Sequence, residues 1–139
     1  MASVFGHAIV GYTITKAASI KNYKWLLLLA ILSSVLPDLD VLTFNFGIPY
    51  SHPFGHRGFT HSIVFAIIWA LLLMLFFGKQ NRVLWFVVIF FSTLFHGILD
   101  AMTTGGKGIG FFIPFNNERF FFPFRPIQVS PLGIEKFFS

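Results

Sequence analysis

The sequence predicts an all-α protein of the membrane. It reads as about four membrane helices in an up-and-down arrangement, followed by an irregular, aromatic-rich C-terminal segment. Three observations predict this. The chain is 55% hydrophobic and only 11% charged, where a soluble domain carries about 25% charged residues. Its apolar runs alternate with short polar turns. The basic residues sit mainly in loops beside those runs, where orientation and anionic headgroups account for a net charge of +5 without nucleic acid. With 139 residues, 21 of them Phe, and a mean hydropathy of +0.77, the chain reads as a single membrane-embedded domain over 1–139.

The first element covers residues 4–18. Ser3 is a candidate cap, and Gly6, Gly11 and Ala17 are small enough to let this helix pack closely against others. It spans the membrane or lies at its interface, and His7 falls in its first turn. A polar turn at 19–24 carries Lys21 and Lys24. The second element, residues 25–36, is apolar but shorter than the roughly 20 residues a full span needs. Pro37 disfavours helical geometry at Leu36, so a kink or an end is expected there. Asp38 and Asp40 follow at once.

A loop rich in Gly, Pro and aromatics covers 43–58. Residues 62–78 then run without a charge, with Thr60 as a plausible cap and His61 at the helix start. Lys79-Gln80-Asn81-Arg82 forms a tight turn. Residues 83–102 make the next span, apolar until His96 and Asp100. Beyond Thr103, Gly105, Gly106, Gly108 and Gly110 mark a flexible loop. A Phe- and Pro-rich excursion over 111–124 suits the membrane interface. The sequence stops at Glu135-Lys136-Phe137-Phe138-Ser139, where a further apolar element would begin, so a missing last helix is expected. No removable signal peptide is expected. Cysteine is absent, which excludes disulfides and thiolate metal sites.

In an up-and-down set, the start of an odd helix and the end of an even one share a side. His7, Asp38, Asp40, His56, His61, His96 and Asp100 therefore arrive at one face. The opposite loops hold Lys16, Lys21, Lys24, Lys79 and Arg82 and no acid. The positive-inside tendency makes those loops cytoplasmic and the polar face outward. The tail, with Lys107, Arg119, Arg125 and Lys136, weighs against that orientation.

His96 and Asp100, at i and i+4, share a helical face, and ionisable groups within an apolar span usually point inward and serve a function. A packing pair is the plain alternative. Imidazole and carboxylate without thiolate suit Zn²⁺ foremost, with Mn²⁺ or Fe²⁺ as alternatives. His7, Asp38, Asp40, His61, His96 and Asp100 are the candidate ligands for one or two ions. Two ions about 3.5–4 Å apart would activate water for attack on a phosphoester. His56 is a candidate proton shuttle. Arg57 is a candidate phosphate-binding residue, with Arg119 and Arg125 beside it. His52, in a turn, receives no role. An amide or ester hydrolase, an ion-conducting protein, and a non-catalytic metal-binding or structural membrane protein are the alternatives.

These residues carry a resemblance. His7, Leu36-Pro37-Asp38-Leu39-Asp40, His56-Arg57-Gly58-Phe59-Thr60-His61-Ser62, His96 to Thr104 and Asn117 to Pro123 together resemble the YdjM-type family of membrane-bound metal-dependent hydrolases. The resemblance covers nearly the whole chain. It implies a hydrolase in the cell (inner) membrane. More distantly, the ligand order is similar to that of the zinc-dependent phospholipase C and S1/P1 nuclease group. That similarity maps His7, Asp38 or Asp40, His61, His96 and Asp100 onto metal ligands; the reaction expected from the metal chemistry is hydrolysis of a phosphoester such as a phospholipid headgroup. The departure is downstream: that group supplies further histidines, and none follows His96 here.

Overall fold

A computed structural model describes residues 2–18 and 23–129. Four α-helices carry the fold: α1 (Val4–Ala17), α2 (Lys24–Val35), α3 (Ile63–Phe77) and α4 (Arg82–Ala101). No strand forms among the described residues. Two helical stretches, Lys24–Phe46 and Arg82–Ala101, are long and apolar enough to cross a bilayer, each with a mean hydropathy of 1.9. Helix α3 is apolar throughout but shorter. The expected polar turn at 19–24 falls largely, and the expected element beyond 135 wholly, outside the described residues.

Local chemistry explains where the helices start. Ser3 caps α1, its hydroxyl accepting from the Gly6 N–H at 3.1 Å. Asn81 caps α4 in the same way through Leu84. For α3 the cap is Ser62, which accepts from Phe65 N–H at 3.0 Å, and not Thr60. Thr60 is drawn instead to a carboxylate, and His61 lies just before the helix, in a short 3₁₀ turn, Phe59–His61.

Pro37 does not stop the second helical rod. It converts it: α2 passes directly into a 3₁₀ segment, Leu36–Phe46, closed by Gly47 in the left-handed region at φ 71°. Pro37 stands in the first turn of the new segment, and lacking an N–H it gives no bond to the preceding turn, whose Ser34 carbonyl is met by His96. Eleven residues is long for a 3₁₀ helix. Its three-residue turn separates Asp38 from Asp40 by about 120° around the axis.

The helices pack as two antiparallel pairs. Gly11 of α1 lies against Ala30 of α2, where an added Cβ would sit 2.5 Å from the Ala30 carbonyl oxygen. Phe77 at the end of α3 stacks near Trp85 at the start of α4. The apolar core, Leu26 and Ala30 with Ala70 and Leu73 and Trp85, Val88 and Ile89, joins α2, α3 and α4. Large apolar side chains such as Ile9, Trp25, Leu75, Phe76 and Val83 point outward, as lipid-facing residues do. In the tail, Ile109 and Phe120 exchange two backbone hydrogen bonds of 2.9 Å, a hairpin-like closure without a strand.

The close α1–α2 crossing predicts an asymmetry between two glycines. Gly11→Ala should lower thermal stability in detergent, at a cost of about 1–3 kcal/mol for overpacking against backbone. Gly6→Ala, whose Cβ would meet only the Ser3 hydroxyl at 3.4 Å, should melt like the parent. Equal melting of the two variants would show that the crossing is looser than described.

Candidate metal centre

The end of the bundle opposite Trp85 is polar and buried. His7 comes from the first turn of α1, Asp38 from the 3₁₀ segment, and His96 and Asp100 from one face of α4. One ligand atom from each of these four lies within 4.8 Å of the other three. None of the four residues is more than 6% exposed. The close spacings are His7 Nε2 to Asp100 Oδ1 at 3.4 Å, His96 Nε2 to Asp38 Oδ1 at 3.4 Å, and His7 Nε2 to Asp38 Oδ2 at 3.9 Å. The His7 and His96 rings stack with centroids 3.8 Å apart.

His61 adjoins this set. Its Nε2 stands 3.0 Å from His96 Nε2 and 3.6 Å from Asp100 Oδ2. The other ring nitrogen of each histidine fixes what faces the middle. His96 Nδ1 donates to the Ser34 carbonyl at 2.7 Å, and His61 Nδ1 lies 3.1 Å from Asp40 Oδ2. With both Nδ1 protons spent outward, two Nε2 lone pairs point at each other in the neutral rings. Such a contact needs a cation between the nitrogens. Two ligands held at about 2.0–2.1 Å by one tetrahedral ion stand about 3.3 Å apart, close to the spacing here. Without a metal, a proton serves. Burial would lower the His61 pKa, but the Asp100 and Asp40 carboxylates hold it up at about 9.

Orphaned polar atoms give the same reading. Both ring nitrogens of His7, both oxygens of Asp38 and Oδ2 of Asp100 are buried without a hydrogen-bond partner. Buried polar atoms of this kind are costly unless something else satisfies them. The donor set is nitrogen and oxygen, with orphaned lone pairs turned to one place. Three buried carboxylates and one buried guanidinium leave two negative charges here while the imidazoles are neutral, and a divalent cation matches that excess. These residues can hold a metal ion.

Asp40 is placed behind this set. Its Oδ1 accepts from His56 Nδ1 at 2.5 Å. Its Oδ2 accepts from the Arg57 N–H at 2.9 Å and the Thr60 hydroxyl at 2.6 Å, and faces His61 Nδ1. Both oxygens are thus committed, and the carboxylate orients the His61 ring. His56 lies beyond Asp40, against Tyr50 and Phe44. Arg57 is 1% exposed and has φ 61°, a left-handed conformation rare for a side chain of its size. It donates to the Gly105 carbonyl at 2.9 Å, reaches Thr103 Oγ1, and brings Nε within 3.3 Å of Asp100 Oδ2. Gly106, at φ 86°, passes so close to the guanidinium that a Cβ there would collide with it.

Arg119 binds the backbone carbonyls of Tyr50, His52 and His56 and ties the tail to the loop. Arg125 lies over the Phe121 ring. His52 accepts from the Phe54 N–H within its own turn. The Ser34 carbonyl, Thr60 and Thr103 also belong to the site, and sequence reasoning assigned them no part in it. A backbone carbonyl has no sequence signature. Thr60 carried one in its position beside His61.

The comparisons with known proteins bear on this geometry. A family model described as YdjM inner membrane protein matches residues 1–139. The chain belongs to the YdjM family. It is also similar to the inner membrane protein YbcI of Escherichia coli (strain K12), with 41% identity over 146 residues, covering 99% of this chain and 82% of the relative. No solved structure matches. Membership in the YdjM family makes this an inner membrane protein, in keeping with its apolar outer surface.

Two substitutions separate holding the ion from orienting a ligand in this YdjM-family site. His96→Ala should abolish stoichiometric metal in purified protein, read by elemental mass spectrometry. Asp40→Asn should keep the metal but weaken its affinity about 10–100-fold, the usual cost of losing the partner that orients a histidine ligand. If Asp40→Asn removes the metal as completely as His96→Ala, Asp40 is itself a ligand.

Proposed function

We propose that this protein is a membrane-bound, metal-dependent hydrolase acting on a phosphoester, with a phospholipid headgroup as substrate. One observation carries the reading: His7, Asp38, His96 and Asp100 bring buried ligand atoms within 4.8 Å of one another, with His61 beside His96 and Asp100. Their mutual spacings suit one ion better than two. Zn²⁺ fits the histidine-rich set best, with Mn²⁺ or Fe²⁺ as alternatives. A bound divalent ion supplies an activated water and polarises a phosphoryl oxygen.

The chain's own residues do the rest in this reading. Asp40 holds His61 in the tautomer that presents Nε2. His56, joined to His61 through Asp40, carries the proton. Arg57, whose Nε faces Asp100 Oδ2 at 3.3 Å, is the cation assigned to a phosphoryl oxygen. In this reading all four helices cross or enter the membrane and the site lies on its outward face; Lys16, Lys24, Lys79 and Arg82 at the opposite end favour that orientation, and the basic tail opposes it.

Burial favours one other reading. A site no more than 6% exposed also suits a metal that only ties the helices together. Product analysis on phospholipid mixtures separates the two. The hydrolase reading expects metal-dependent release of a phosphorylated headgroup or of phosphate, lost in His61→Ala and Asp100→Ala. It also expects His56→Ala to slow turnover by roughly 10²-fold, the scale of a lost proton-transfer group, with metal content unchanged. Stoichiometric metal with no hydrolysis of any phospholipid would leave the structural reading standing.

A further inference from the structure

Beside the metal centre runs an apolar groove that none of the roles above uses. It has a volume of about 470 Å³, within the usual size range of ligand sites, about 300–1,000 Å³. One wall is the 3₁₀ segment, with Leu36 and Leu39. The other is aromatic: Phe59 meets Phe65 edge-on at 5.8 Å, and Phe65 lies parallel to Trp69 at 6.4 Å. The Trp69 indole N–H donates to Ser33 Oγ at 2.9 Å, which fixes the ring and removes its one polar demand. Asp40 and Thr60 form the polar margin. Their hydrogen-bonding atoms are engaged with each other, His56, Arg57 and His61.

The groove therefore asks for an occupant with no polar groups along its length. It opens past the exposed Leu39 and Phe54. Leu39 belongs to a stretch able to cross the bilayer, so lipid chains are the apolar matter at the groove mouth. The Asp40–Thr60 margin is one residue thick: His61 touches it on the far side and faces Asp100 with Nε2.

The geometry points to a binding site for one acyl chain of a membrane phospholipid in the Leu39–Phe59–Trp69 groove, with the polar end of that lipid beside the His61 side of the metal centre. The placement of the headgroup rests on the hydrolase reading; the seating of the chain does not. Rigid aromatic walls distinguish such a site from the fluid contacts of the outer helix faces.

The test is photolabelling. The whole protein is placed in phosphatidylethanolamine–phosphatidylglycerol vesicles with a trace of phosphatidylethanolamine bearing a diazirine on one acyl chain. Labelled residues are mapped by mass spectrometry. The proposal expects label on Phe59, Phe65 and Trp69 well above that on Leu71 and Leu75 of the same helix neighbourhood. Leu39→Trp, which adds bulk at an exposed rim position, should reduce groove labelling roughly tenfold, equal to about 1.4 kcal/mol, and leave Leu75 labelling and thermal melting unchanged.

Labelling spread evenly over groove and outer face, or indifferent to Leu39→Trp, overturns it. His61→Ala/His96→Ala separates this proposal from the hydrolase reading. Groove label that persists in that variant, in a protein with no hydrolysis before or after substitution, overturns the hydrolase and supports the groove. Hydrolysis by a parent protein without groove label does the reverse.

Discussion

The approach of His61 Nε2 to His96 Nε2, 3.0 Å apart, is the constraint on which this end of the molecule depends. Each ring is anchored from behind, His96 by the Ser34 carbonyl and His61 by Asp40. His96 cannot turn away without giving up its bond to the buried Ser34 carbonyl, nor His61 without giving up its contact with Asp40, each a lost hydrogen bond. The two nitrogens are therefore pressed together by their surroundings. With both Nδ1 atoms donating outward, a positive charge between the two nitrogens, a proton or a metal ion, relieves the contact. The remaining groups fit the second possibility: His7 and Asp38 bring orphaned lone pairs to the same place, which one proton cannot satisfy and one divalent ion can.

The 3₁₀ segment makes this arrangement possible. On an α-helix, residues two apart are separated by about 160° around the axis, so Asp38 and Asp40 would face nearly opposite sides. With three residues per turn they diverge by about 120°. Asp38 can then face His7 and His96 while Asp40 faces the loop that carries His56, Arg57 and Thr60. Two carboxylates from one short sequence thus do different jobs. One offers free oxygens; the other is saturated by four donors and sets the orientation of a neighbour. Arg57 completes the balance from the far side of Asp100. Its left-handed backbone is held in place because its N–H donates to Asp40 and its carbonyl accepts from Gly110.

Much of this was legible in the sequence, for identifiable reasons. Helices announced themselves through long apolar runs, and Ser3 as the cap of the first was readable from its position. The gathering of His7, Asp38, His61, His96 and Asp100 at one end followed from counting turns in an antiparallel set. What escaped reading depended on contacts between distant segments. Whether Pro37 ends a helix or changes its type depends on what packs around it. Thr60 had two chemically plausible uses, and only the proximity of Asp40 decides between a helix cap and a carboxylate partner. The division between Asp38 and Asp40 turned on a helix type that no residue pattern signals. The Ser34 carbonyl, essential to the tautomer of His96, is a backbone group that any residue could have supplied.

The two halves of the bundle follow opposite rules. Toward Leu26, Trp85 and Ile89 the interior is apolar, and stability comes from burying surface. Toward His7 and Asp100 the interior is charged, and burial is a cost that only pairing offsets. Three buried carboxylates, four imidazoles and a guanidinium gathered together do little for stability by themselves, since apolar replacements of equal volume are often neutral or better. Their placement on separate elements, from α1 to the turn before α3 and the end of α4, suits a ligand that stabilises the folded chain by binding it and not the unfolded one. A divalent cation would meet that requirement with the donors present, and an ion held there would tie together the segments that supply them.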